Sequence, residues 1–111
     1  MKSPRIDSAK LRESVRGVSC LLNVAGACLY QVSDPTVVPC HAPSEGKGAG
    51  VKSGDLWCVS GCLRCHDVLD RRVVYSLTGK HITRDEAAWY WLRGVQRQQQ
   101  AWVDSGLLEV A

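Results

Sequence analysis

A chain of 111 residues is one domain's worth, and a domain of that size buries only about 60–70% of the surface its unfolded form exposes. Six cysteines offer the extra staple that so small a core calls for, as disulfides or as metal ligands. The net charge of +3, from 14 basic and 11 acidic residues, excludes a strongly acidic surface and mildly favours an anionic partner such as nucleic acid.

The first residues, MKSPRIDSAKLRESVRG, are polar and basic. They contain no apolar run of about 7–15 residues, so they do not read as a secretory signal. No stretch anywhere approaches the ~20 apolar residues of a membrane span. The expected setting is the cytosol, where thiols stay reduced, and this favours a metal over disulfides. A disulfide-stapled protein of an oxidising compartment is the remaining reading. Residues 1–17 read as a flexible basic arm with a short helical turn around residues 8–15, and residues 18–111 as a single domain.

Next comes CLLNVAGAC, residues 20–28, apolar between two cysteines, which reads as a strand and turn. TVVPCH, residues 36–41, is β-branched and short, a strand with Pro39 at its edge or end. APSEGKGAGVKSGD, residues 42–55, is a turn-rich loop with four glycines. LWCVS is a second short strand, and LRCHDVLDRR, residues 63–72, a helix that packs Leu63, Val68 and Leu69 inward. Residues 36–72 thus form a strand–loop–strand–helix unit. TRDE, residues 83–86, fits a capping box. Ala88, Trp91, Val95 and Trp102 then recur at helical spacing, and Gly106 ends a helix spanning about residues 84–105. Gly94 inside it costs ~1 kcal/mol against alanine. The tryptophans of this helix read as core or dimer contacts, and Arg93 and Arg97 as part of a mostly polar face.

Cys62-x2-Cys65 has knuckle spacing at a tight turn into a helix. With Cys20 and Cys28 it makes four thiolates, a set that satisfies tetrahedral zinc. Three cysteines with a histidine, or plain buried thiols, are the alternatives. Cys40 and Cys58 read as packing thiols, with Cys40 a possible further ligand.

Neighbours on a helix point about 100° apart. If Cys65 faces a structural metal, His66 therefore faces elsewhere. Asp70 follows His66 at i+4 on the same face, and the two can share a divalent ion. His41, at a strand end, is placed to face that pair across a gap and to act as general base for water. The plainer readings are a strand-end histidine, a surface histidine, and an aspartate paired with nearby arginines. His81 reads as structural or exposed. Lys47, Lys52, Arg64, Arg71 and Arg72 are candidates for phosphate neutralisation, although basic residues at a helix C-terminus are also favoured by the helix dipole.

The segments RGVSC, AGAC, KSGDL, CLRCHDVLDRR and RGVQRQQQAWVDSGLL together resemble the HNH, or His-Me finger (ββα-metal), nucleases, and more closely the small YbcO-like nuclease family of lambdoid prophages. The likeness covers roughly residues 12–108. It implies an α+β fold: a small zinc-stabilised ββα-metal finger over residues 36–72 with a long C-terminal helix. It implies a prophage-encoded, metal-dependent endonuclease that hydrolyses DNA, expected double-stranded, with no membrane partner and with a homodimer through the C-terminal helix as an option. Carried over by residue, His41 is the general base and Asp55 the middle residue that orients it. Cys20, Cys28, Cys62 and Cys65 bind structural zinc, and His66 and Asp70 hold a catalytic Mg²⁺ or Mn²⁺. Cys40 departs from the pattern, standing where many HNH enzymes have a His or Asp ligand. That departure supports the alternative of a non-catalytic zinc module that binds DNA or a recombination protein.

Overall fold

The computed structural model describes residues 6–29, 35–43 and 54–110. In chain order the elements are helix α1 (Ala9–Ser14), strand β1 (Val38–His41), a 3₁₀ turn (Asp55–Trp57), strand β2 (Cys58–Gly61), helix α2 (Leu63–Leu69) and helix α3 (Arg84–Asp104). The result is a small α+β architecture in which a two-stranded antiparallel sheet is followed directly by α2. No helix among the described residues is long and apolar enough to cross a membrane.

The β1–β2 register pairs His41 with Cys58, Cys40 with Val59, Pro39 with Ser60 and Val38 with Gly61. Side chains directly opposite each other share a face, and successive residues alternate. Cys40 and Val59 accordingly enter the main core with Leu22, Cys62, Cys65, Leu69, Trp91 and Val95. Cys58 enters a second cluster with Leu11, Val15 and Trp102. His41 therefore leaves the sheet on the α1 side, whereas α2 packs on the other.

Four expectations are corrected. The arm read as flexible is, over its described part, a capped and packed element. Ser8 accepts from the Leu11 amide, and Leu11 and Val15, four residues apart, are buried against Trp102, whose Nε1 donates to Ser14 Oγ at 2.9 Å. Residues 20–28 form no strand, because side chains take the main-chain partners that a ladder would need. Arg93 donates to the Leu22 and Asn23 carbonyls, the Val24 amide donates to Cys65 Sγ, and the Ala25 amide donates to Tyr90 Oη. Arg93 and Arg97 are thus clamps rather than a solvated face, Arg97 reaching Asn23 Oδ1 at 2.9 Å. Finally, α2 stops at Leu69 in a Schellman turn: the Arg72 amide bonds the Asp67 carbonyl and the Arg71 amide the Val68 carbonyl, with Arg71 at φ 60°.

Helix α3 begins at the expected cap, Thr83 accepting from the Glu86 amide, and runs along the outer edge of β2. Gly94 explains its place there. A Cβ would stand 2.9 Å from Leu22 Cδ2 and 3.1 Å from Val59 Cγ1, so glycine permits the close approach of helix and strand. One turn on, buried Gln98 accepts the outward amide of Ser60 at 3.0 Å. The Ser60 carbonyl accepts from the Leu21 amide at 2.9 Å. Replacing Gln98 by leucine would leave a buried amide without an acceptor and should destabilise the fold by about 1–3 kcal/mol, read as a lowered midpoint in urea unfolding.

Candidate functional site

The hairpin has two chemically different ends. At the Gly61 end, the turn into α2 delivers Cys62 and Cys65, and the turn of residues 21–27 delivers Cys20 and Cys28. Asn23 and Gly26, at φ 44° and 76°, provide its bends. The four Sγ atoms all lie within 4.8 Å of one another. Four thiolates around zinc stand about 3.8 Å apart at a metal–sulfur distance of about 2.3 Å, so a small inward adjustment accommodates an ion.

Donor chemistry agrees. The Val24 amide points at Cys65 Sγ at 3.3 Å and Asn23 Nδ2 at Cys28 Sγ at 3.4 Å, contacts that favour a thiolate acceptor. A hydrogen bond from Cys65 lowers the Cys20 thiol to about 5 despite burial, and the same bond, with burial, pushes Cys65 up. This cluster can hold a metal ion such as zinc. Cys40 and Cys58 stay outside it as buried packing thiols. Burial raises Cys40 to about 12 and Cys58 to about 11.

At the other end, His41 Nε2 lies 2.8 Å from Asp55 Oδ1. Asp55 is buried and heavily clamped. Its Oδ2 accepts from the Ser8 amide at 2.6 Å and from Arg12 Nη1, and its own amide donates to the Ile6 carbonyl at 2.7 Å. Arg12 also bonds Asp7. Burial opposes ionisation of Asp55, but the hydrogen bonds from His41, Ser8 and Arg12 outweigh it and hold the carboxyl down at about 2. With Nε2 turned to Asp55, Nδ1 is the ring nitrogen outside this hydrogen bond. Arg12 and Ser8 are the residues the sequence reading missed. The i,i+4 pair Leu11/Val15 behind a serine cap was the available signal.

His66 Nε2 lies 3.0 Å from Asp70 Oδ2, the expected i,i+4 pair. Arg72 approaches the same carboxylate at 3.7 Å and Asp67 at 3.9 Å. The sequence also placed His41 opposite His66 across one gap. The structure instead forms two separate pairs, because the strand's period of two sends His41 to the α1 face. The residues that follow them in the chain do meet: the end of α2 (Leu69, Arg71) and the strand ends Ala42 and Trp57 line a common cleft. Arg64 lies on another side of α2, lining a second cavity with Asp67 and Val68. Lys47 and Lys52 fall outside the described residues, and His81 is exposed.

Purified protein should carry one bound metal ion per chain by elemental analysis, and Cys20→Ala or Cys65→Ala should remove it and lower the melting temperature by more than 10 °C. Acid should loosen the α1 clamp separately. The Asp55 contribution, about 2 kcal/mol, is fully present above its unfolded value of 3.8 and lost as pH falls through about 2. Asp55→Asn should flatten that part of an acid-unfolding curve.

Residues 9–107 match the family model described as "Putative nuclease YbcO". A protein of that name from Escherichia coli K12 is 32% identical over 102 residues, covering 91% of this chain and 98% of its relative. One from Enterobacteria phage 82 matches with the same identity and coverage. A solved structure titled as a bacteriophage protein from Escherichia coli K-12 superposes with a TM-score of 0.64 at 26% identity, covering 87% of this chain and all of that one. This chain belongs to the family described as "Putative nuclease YbcO".

Proposed function

We propose that the protein is a metal-dependent endonuclease that hydrolyses DNA phosphodiester bonds, built on a ββα-metal finger formed by β1, β2 and α2. The observation that carries this is the His41–Asp55–Arg12 chain. A buried carboxylate, itself fixed by a guanidinium and a main-chain amide, holds one imidazole nitrogen and fixes the tautomer and direction of the ring. His41 then takes the proton from an attacking water at Nδ1, and Asp55 stabilises the imidazolium that results.

His66 and Asp70 are the residues that would hold the divalent ion. They offer one nitrogen and one carboxylate oxygen, a set that suits Mn²⁺ or Mg²⁺ when water and phosphate complete the shell. Such an ion would supply charge stabilisation at the phosphate and the leaving oxygen. Their mutual hydrogen bond at 3.0 Å keeps the two side chains convergent. The four-cysteine metal is assigned as zinc with a structural role, since four thiolates leave no open position for water. Arg71 and Arg72, at the end of α2, neutralise phosphates.

One observation favours a second reading, a non-catalytic zinc module that binds DNA. Cys40, the residue before the proposed base, is 1% exposed and faces the core, so the strand contributes no ligand. Nicking of supercoiled plasmid and cutting of single-stranded circles, in Mg²⁺ or Mn²⁺ at low salt, separate the two. His41→Ala should lower the rate about 10²–10⁴-fold, and His66→Ala/Asp70→Ala should remove the dependence on the divalent ion along with the activity. DNA left intact by the wild type in every ion tried would leave the module reading alone.

A further inference from the structure

The cleft between the hairpin end, the end of α2 and the first half of α3 has a volume of about 560 Å³, within the size range of small-ligand sites. Its walls are apolar and aromatic. Trp57, 46% exposed, offers ring surface, with Ala42 and Leu92 beside it and buried Trp91 at the floor. Two cations, Arg71 and Arg84, also line it, and no carboxylate is among its described lining residues. Among the described residues neither guanidinium is paired with an acid, in contrast to Arg12, Arg16 and Arg72.

Arg71 adds an independent observation. It occupies the left-handed position of the Schellman turn, φ 60°, where glycine is favoured and an L side chain costs about 1 kcal/mol. The backbone gains nothing from arginine there, so what the position gains is a guanidinium at the cleft. The cleft is also tied to the proposed base: Ala42 follows His41, Trp57 precedes Cys58, and the Ala42 amide bonds the Trp57 carbonyl at 3.0 Å. The His41–Cys58 pair and the Ala42–Trp57 pair are neighbouring rungs of the hairpin, facing opposite sides.

We propose that this cleft takes one unpaired nucleotide of the substrate strand, its base against the Trp57 ring and its phosphate on Arg71 and Arg84. The ligand class rests on the nuclease reading. Aromatic faces hold an unpaired base by stacking, and a base inside a duplex has no face to offer. An apolar wall with a doubly cationic rim and no anion matches a base joined to a phosphate.

The test reads binding without cleavage, using His41→Ala protein with no Mg²⁺ or Mn²⁺ added. An oligo(dT) strand should quench tryptophan fluorescence and bind more tightly than its duplex with oligo(dA). Arg71→Gly/Arg84→Ala should weaken strand binding roughly tenfold and reduce its salt slope by about 0.7 per arginine. Arg71→Gly alone should leave the melting temperature unchanged or higher, so lost binding is not lost folding. Leu92→Glu, at a position 58% exposed, should block the strand as well. Equal affinity of the arginine variant and its parent, tighter binding of the duplex, or no quenching by the strand would overturn the proposal. Because the assay needs no catalysis, strand binding is read whether or not the wild type cuts DNA.

Discussion

Two four-residue strands do not make a sheet that is stable in water, so this fold depends on how the open edge of β2 is closed. Ser60 is the point of closure. Its amide goes to the Gln98 side chain and its carbonyl receives the Leu21 amide. One residue thereby joins the hairpin to the long helix and to the turn that carries half of the cysteine cluster. Gly94 lets helix and strand come close enough for the glutamine to reach, and Arg93 and Arg97 fasten the same turn from one helical turn away. The convergence of Cys20 and Cys28 on Cys62 and Cys65 follows from this arrangement. The turn has little regular structure of its own, and its carbonyls and amides are held by side chains of other elements.

The hairpin then separates two tasks along its length. The Gly61 end carries a buried thiol cluster that suits a scaffold ion, and the His41 end carries an imidazole, a buried carboxylate and a cationic cleft. Here the distance is kept by clamps at both ends, the thiol cluster at one and the Asp55 network at the other. Asp55 is the more demanding of the two, since a buried carboxylate that loses its guanidinium is left as an uncompensated charge. Its three donors come from α1, from the residue before it and from β1, so the N-terminal segment completes the site.

Much of this was legible in the sequence, for identifiable reasons. The cap at Thr83, the Cys62-x2-Cys65 knuckle and the i,i+4 spacing of His66 and Asp70 are local signals, and each brings together the residues it should. What was missed depends on contacts between residues distant in sequence. Arg12 meets Asp55 across 43 residues and Arg93 meets Leu22 across 71, and no periodicity marks an arginine whose partner is a carbonyl in a remote turn. Residues 20–28 read as a strand and turn because they are apolar between two cysteines, yet several of their backbone groups are held by remote side chains, as at Leu22, Asn23, Val24 and Ala25. The polar QRQQQ tract hides its contribution for the opposite reason: its buried member, Gln98, serves a main-chain amide, which composition does not reveal.

The alternation of a strand also decides what β1 can contribute chemically. Cys40 and His41 are adjacent, so one must face the core and the other must leave it. Pairing with Val59 sends Cys40 inward, where desolvation keeps its thiol protonated, and pairing with Cys58 sends His41 toward α1 and Asp55. A strand in this register cannot present two adjacent ligands to one ion. The proposed reaction accordingly places the ion's ligands on α2, where the helical repeat brings His66 and Asp70 to one side. The imidazole on the strand is left free of ligand duty, and its hydrogen bond to a buried carboxylate suits it to accept a proton.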